Sequence, residues 1–162
     1  MAHPTSNGLM NACEEAIKKE KIDYQRNGTY IVMEGPQFST LAESNLYRSW
    51  KADVIGMTNM PEAKLAREAE ICYSSLSMVT DFDCWHPDHD KVEVSDIIRV
   101  LTQNSSNAQL LIKELTSNIS KERELCEYGC NTALDNAIIT PIDHRDKDVE
   151  TKLDAILRRV NS

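Results

Sequence analysis

Glycine is scarce here, and that limits the backbone more than any other feature of the sequence. Five occur among 162 residues, at Gly8, Gly28, Gly35, Gly56 and Gly129, and no two lie within six residues of each other. A Gly-rich loop that wraps backbone N–H groups around a phosphate needs several glycines close together. No such loop can be assembled from this set. The length suits one domain able to bury about 70% of its unfolded surface. Lysine and arginine total 18 against 26 aspartates and glutamates, a net charge of −8. That balance opposes binding to nucleic acid or an anionic membrane, both of which call for basic residues. No apolar run approaches the ~20 residues of a membrane span, and the N-terminus lacks the layout of a signal peptide. With 41% hydrophobic and 27% charged residues, the composition is that of a globular domain.

Cys13, Cys72, Cys84, Cys126 and Cys130 are odd in number and scattered, which fits a reducing cytoplasm, the expected location. Cys126 and Cys130 stand one helical turn apart, a spacing that reads first as two small residues on a core-facing stripe. With no CxxC pair, a structural zinc site is not expected.

No internal repeat or low-complexity tract divides the chain, so residues 1–162 are read as one unit. Ser6 precedes a helical stripe of Leu9, Ala12, Cys13, Ala16 and Ile17. Thr29–Met33 reads as a strand, broken by Gly35-Pro36. Thr40-Leu41-Ala42-Glu43 is a capping box that launches a helix to about Trp50. Ala52–Met57 is a short strand, Pro61-Glu62 the first turn of a helix, and Ile71–Thr80 a third strand. Helices follow from Ser95, over Glu122–Asn136 and over Asp148–Val160. The order β-α-β-α-β followed by helices predicts an α/β fold with helices on the faces of the sheet.

Ligands in such folds collect where strands end and helices begin. Three junctions qualify: Gly35–Thr40, Met57–Pro61 and Thr80–Asp83. Asp81 and Asp83 stand two apart, so an extended chain points both the same way. Paired carboxylates can do acid–base work when burial and mutual repulsion raise one pKa, and can equally serve as a cap or turn. Phe38, flanked by Ser39 and Thr40, can stack on a flat ligand or plug the end of the sheet. Thr58, next to Met57, can meet an anion at a helix N-terminus or simply cap that helix. His86-Pro87-Asp88-His89-Asp90 has metal-ligand residue types, but its proline and tight spacing read as a polar loop. No metal is expected.

The runs Glu34–Ser44, Gly56–Glu62 and Met78–Trp85 resemble signature segments of the purine nucleoside phosphorylase family, in that family's order and spacing, and within it the branch that cleaves 5′-methylthioadenosine. The resemblance covers essentially the whole chain and is densest from Met33 to about Val94. It implies part of a three-layer α/β/α fold with a mixed sheet and flanking helices. The chain corresponds to the C-terminal part of that domain, without the family's Gly-rich phosphate turn and Arg-His pair. The implied reaction is phosphorolysis of S-methyl-5′-thioadenosine to adenine and 5-methylthioribose 1-phosphate, with phosphate as co-substrate and no cofactor. Residue by residue, the resemblance places Asp81 at N7 of the adenine and Asp83 near its 6-amino group. It packs Phe38 on the base, with Ser39 where 6-oxopurine enzymes carry Glu. Met57 lies along the ribose, Thr58 bonds the phosphate, and Val94 lines the pocket for the 5′-substituent. Family members are commonly homotrimers. The alternatives are a phosphorylase for 6-oxopurine nucleosides and an inactive fragment that binds nucleosides weakly or only packs against other chains.

Overall fold

A computed structural model describes residues 1–87, 94–122 and 125–161. Its elements run α1 (Asn7–Lys19), β1 (Tyr30–Val32), α2 (Leu41–Ser49), β2 (Val54–Gly56), α3 (Asn59–Glu68), α4 (Val94–Asn118), α5 (Lys147–Lys152) and α6 (Asp154–Asn161). β1 and β2 pair in parallel, Tyr30 opposite Val54, Ile31 opposite Ile55 and Val32 opposite Gly56. Parallel neighbours cannot be joined by a tight hairpin, and α2 supplies the crossover between them. Gly56 is required by its partner strand: a Cβ there would overlap the Tyr30 side chain. Among the described residues no helix is long and apolar enough to cross a membrane.

The chain divides into two compact units. One comprises residues 11–60 and 75–121. Its core joins Ala16 and Ile17 of α1 to Leu111 of α4, with Ile22, Met78 and Leu115 packed around them. Leu111 and Leu115 sit one turn apart, so one stripe of α4 faces this cluster. Lys19 and Glu114 form an ion pair in the same unit. Glu14 gathers Lys18, Tyr24 and Arg26, whose donated hydrogen bonds bring its carboxyl down to about 2. Those contacts tie the segment after α1 back onto the helix.

The other unit comprises residues 1–10, 61–74 and 122–162. Here Arg159 of α6 forks onto Glu70, Nε to Oε2 and Nη2 to Oε1, both at 2.5 Å. Arg159 also reaches Asp135 at 2.5 Å, and Glu70 accepts from the Leu134 amide at 3.0 Å. Glu70 is 8% exposed, so the fork neutralises a carboxylate that would be costly to bury alone. The Ser6 amide bonds the Tyr73 carbonyl at 2.8 Å, and the rings of His3 and Tyr128 stack with centroids 4.2 Å apart.

Three expectations are corrected. Residues 71–80 form no strand. A strand needs a neighbouring ladder, and the carbonyls of this segment find other partners: Tyr73 the Ser6 amide, Val79 the Asn104 side chain at 2.9 Å. The sheet therefore has two strands, both parallel, and no mixed pairing among the described residues. Among the described residues of 122–136 no long helix forms either. Gly129 adopts a left-handed φ of 65°, which no α-helix continues through, and only a 3₁₀ turn at Cys130–Thr132 follows. The last helix keeps its expected extent but is divided: Asp146 caps α5 by accepting from the Asp148 and Val149 amides, and Leu153 separates α5 from α6.

α1, α2 and α3 end alike. Ile22, Ala52 and Ile71 donate to the carbonyls of Ile17, Tyr47 and Ala66, five residues back. Lys21, Lys51 and Glu70 donate to Lys18, Arg48 and Arg67, three back. This is the Schellman arrangement, whose left-handed residue is usually glycine. The positions are filled instead by Lys21, Lys51 and Glu70, with φ of 55°, 59° and 56°. Lys21→Gly and Lys51→Gly are each expected to raise stability by about 1 kcal/mol, read as a higher urea midpoint with unchanged slope. Glu70→Gly should do the opposite, because it removes the carboxylate on which Arg159 forks. Equal responses at the three positions would refute the assignment.

Candidate active site

Of the three junctions expected to carry chemistry, Gly35–Thr40, Thr80–Asp83 and the Met57–Met60 part of the second fall in the unit of residues 11–60 and 75–121, and Pro61 belongs to the other. Thr40 caps α2 as predicted: its hydroxyl accepts from the Glu43 amide at 3.3 Å and its own amide donates to Glu43 at 2.7 Å. Those bonds from the Thr40 backbone and then its hydroxyl lower the Glu43 carboxyl below its ordinary range. With the helix start fixed, the loop before it is fixed as well, and that loop carries Phe38 and Ser39.

Gly35 precedes a cis peptide bond to Pro36 and has a φ of 73°. A Cβ on Gly35 would stand 2.8 Å from the Met57 sulfur, so the end of β1 is in close contact with the residue that follows β2. This contact joins the first junction to the second. Thr58 is exposed immediately ahead of the N-terminus of α3.

The third junction is tied to the first from two directions. Asp83 accepts from the hydroxyl of Ser44, which is 1% exposed on the inner side of α2, and from the Cys84 amide at 2.8 Å. The Cys84 thiol lies 3.5 Å from the Ser39 carbonyl. Beyond them Phe82, Trp85 and His86 form an aromatic group: Phe82 stacks on His86 at 4.4 Å, and Trp85 meets both rings edge-on. The Arg48 guanidinium of α2 lies 3.9 Å over the Trp85 ring, a cation–π contact that holds the loop against the helix. Neither Ser44 nor Arg48 was singled out from the sequence. Ser44 stands one residue past the capping box and Arg48 four further on, so both lie on the α2 face that meets the loop.

The two aspartates have different surroundings. Asp83 is half-buried with donors on both oxygens, whereas Asp81 is exposed and accepts only the neighbouring Thr80 hydroxyl at 2.6 Å. Phe38 is 83% exposed, free to meet a flat ligand rather than plug the sheet. Ser39 directs its hydroxyl to the Met33 sulfur at 3.7 Å. Val94 opens α4, and its side chain lies outside the described residues, as do Asp88, His89 and Asp90 of the polar loop.

Outside this constellation, in the other unit, Cys72, Cys126 and Cys130 bring their sulfurs within 4.8 Å of one another. The turn at Gly129, rather than a helix, sets Cys126 and Cys130 side by side at 3.1 Å. Burial opposes ionisation of Cys126, but hydrogen bonds from Cys130 and the Tyr128 backbone outweigh it and bring the thiol to about 7. Burial and the Cys126 partner push Cys130 up to about 12.

The contact at Gly35 makes a direct prediction. Gly35→Ala should destabilise by about 1–2 kcal/mol through the left-handed backbone alone, and further through the clash with Met57. Combining it with Met57→Ala should recover the second part and not the first. Strict additivity of the two substitutions in denaturation midpoints would refute the close approach.

Residues 1–117 match the phosphorylase superfamily. The chain is 52% identical over 160 residues to an S-methyl-5′-thioadenosine phosphorylase of Cereibacter sphaeroides, and 56% identical over 160 residues to one of Bradyrhizobium diazoefficiens. Each alignment takes in 99% of this chain and 55% of the relative, so the chain spans about half the length of the curated relatives it matches. Among solved structures it is similar to a methylthioadenosine phosphorylase from an antarctic soil metagenomic library, with a TM-score of 0.86 and 43% identity over 97% of this chain and 55% of that one. A methylthioadenosine phosphorylase from Schistosoma mansoni in complex with adenine gives a TM-score of 0.67 and 27% identity over 76% of this chain and 49% of that one. The two-stranded parallel sheet with its helices is thus part of an α/β nucleoside phosphorylase fold, and the chain belongs to the phosphorylase superfamily.

Proposed function

We propose that this chain carries the nucleoside side of an active site for phosphorolysis of S-methyl-5′-thioadenosine, which yields adenine and 5-methylthioribose 1-phosphate. One observation carries the reading: the ends of three chain segments meet in one unit, through Gly35 against Met57, Ser39 against Cys84 and Ser44 against Asp83. Among the residues so gathered, Met57, Ser39 and Asp83 are ones that the family resemblance assigns to the nucleoside.

Phosphate attacks the anomeric carbon as the glycosidic bond breaks, and the sugar passes through an oxocarbenium-like state, as in glycoside hydrolysis. Electrons accumulate on the departing adenine. A proton or strong hydrogen bond at N7 from Asp81 offsets that charge, while Asp83 accepts from the 6-amino group. The two donors already on Asp83 fix its direction before substrate arrives, which removes a reorganisation cost. Phe38 covers the base beside Ser39, and Met57 lies under the ribose, positioned by Gly35. Thr58 offers its hydroxyl to phosphate beside the α3 N-terminus. Val94 faces the 5′-methylthio group. The reaction needs no metal or organic cofactor, and the reading carries with it a homo-oligomeric, cytoplasmic enzyme.

The test follows free adenine from S-methyl-5′-thioadenosine and phosphate, with the chain alone and mixed with the N-terminal part of one of its relatives. Adenine release in either arm is expected. None in both, or faster cleavage of inosine, overturns the reading. In the productive arm Asp81→Ala should lower kcat by about 10²–10⁴-fold, the usual range for a lost general acid. A rise in KM with unchanged kcat would remove the proton-donor role.

A further inference from the structure

We propose that Cys72, Cys126 and Cys130 form a binding site for one zinc ion, in the unit that does not hold the nucleoside residues. The three sulfurs lie within 4.8 Å of one another, with Cys126 and Cys130 at 3.1 Å. Zinc–sulfur bonds of about 2.3 Å at tetrahedral angles set sulfurs about 3.8 Å apart, so a central ion needs only small side-chain movements. The expectation against zinc looked for a CxxC pair. Cys126 and Cys130 are instead separated by three residues, within the range of two to four typical of zinc ligand pairs. The third ligand is 54 positions before Cys126 and becomes visible only in the fold.

The surroundings suit a metal thiolate. Gly129, at its left-handed φ of 65°, turns the chain so that both thiols face the same point. Cys130 is 1% exposed and Cys72 and Cys126 are half-buried, which shields bound metal yet leaves an approach from solvent. Three thiolates select a soft or borderline cation over magnesium or calcium. Zn(II) with three thiolates carries a net charge of −1, and Cu(I) would leave −2. One fixed cation stands nearby to offset it: the Arg67 guanidinium, which donates to the Tyr128 carbonyl at 3.2 Å and the His3 carbonyl at 2.6 Å. Among the described residues no fourth His, Cys, Asp or Glu joins the group, so water or an added ligand completes the tetrahedron. Binding converts thiols to thiolates and releases their protons to solvent. It also pins the 126–130 turn to residue 72 and stabilises the folded unit by mass action.

The test equilibrates the reduced 162-residue chain with zinc chloride, removes free metal by gel filtration, and measures bound zinc by mass spectrometry. About one zinc per chain is expected. Cys72→Ser, Cys126→Ser and Cys130→Ser should each lose at least tenfold in affinity, while Cys84→Ser retains the metal. Because a buried substitution can unfold the unit, the unsubstituted chain is also treated with iodoacetamide with zinc or with chelator. Zinc should slow alkylation of Cys126 at least tenfold. No retained zinc, an equal load in all variants, or alkylation indifferent to zinc overturns the proposal.

Discussion

The meeting of the Gly35–Thr40 and Thr80–Asp83 junctions depends on a hydrogen bond from a buried serine. Ser44, on the inner face of α2, donates to Asp83 and so anchors a loop that has no sheet of its own to rest on. α2 in turn is fixed at its start by the Thr40–Glu43 box and by its place as the crossover between β1 and β2. Precision in the loop is therefore borrowed from helix and sheet. The cation–π contact of Arg48 with Trp85 repeats the tether one turn along. Removing Ser44 would leave the Asp83 carboxylate half-buried with one donor fewer, a cost beyond the loss of one neutral bond.

Elements set by short-range chemistry were legible in the sequence. The capping box, the β-branched run of β1 and the periodic stripe of α1 all reappear within a residue or two of their expected limits. What failed depended on partners elsewhere in the chain. Residues 71–80 have strand composition, but strand pairing needs a neighbour, and Ser6 and Asn104 take those carbonyls instead. Residues 122–136 show helical spacing that a single left-handed glycine cancels. The site divides along the same line. Phe38, Ser39, Met57, Thr58, Asp81 and Asp83 could be singled out as candidates because motifs are local, while Ser44, Arg48 and Cys72 enter only through contacts that no spacing announces.

The chemistry of the chain is partitioned between its two units. Residues 11–60 and 75–121 hold the carboxylates, the stacking ring and the hydroxyl next to a helix start. Residues 1–10, 61–74 and 122–162 hold the thiols and the Glu70–Arg159 fork. The superfamily match reaches residue 117 and so ends inside the first of these sets, before the turn that bears Cys126 and Cys130. About half the length of the relatives is represented.

The left-handed helix ends also bear on partly folded states. For residues other than glycine that backbone region is populated only a few per cent of the time. Lys21, Lys51 and Glu70 must each find it before the chain can turn out of α1, α2 or α3. Each exit therefore carries the free-energy cost of a sparsely populated conformer into every partly folded state that contains it. The exit at Lys51 leads directly into β2, so the parallel ladder bears part of that cost as well as the end of α2.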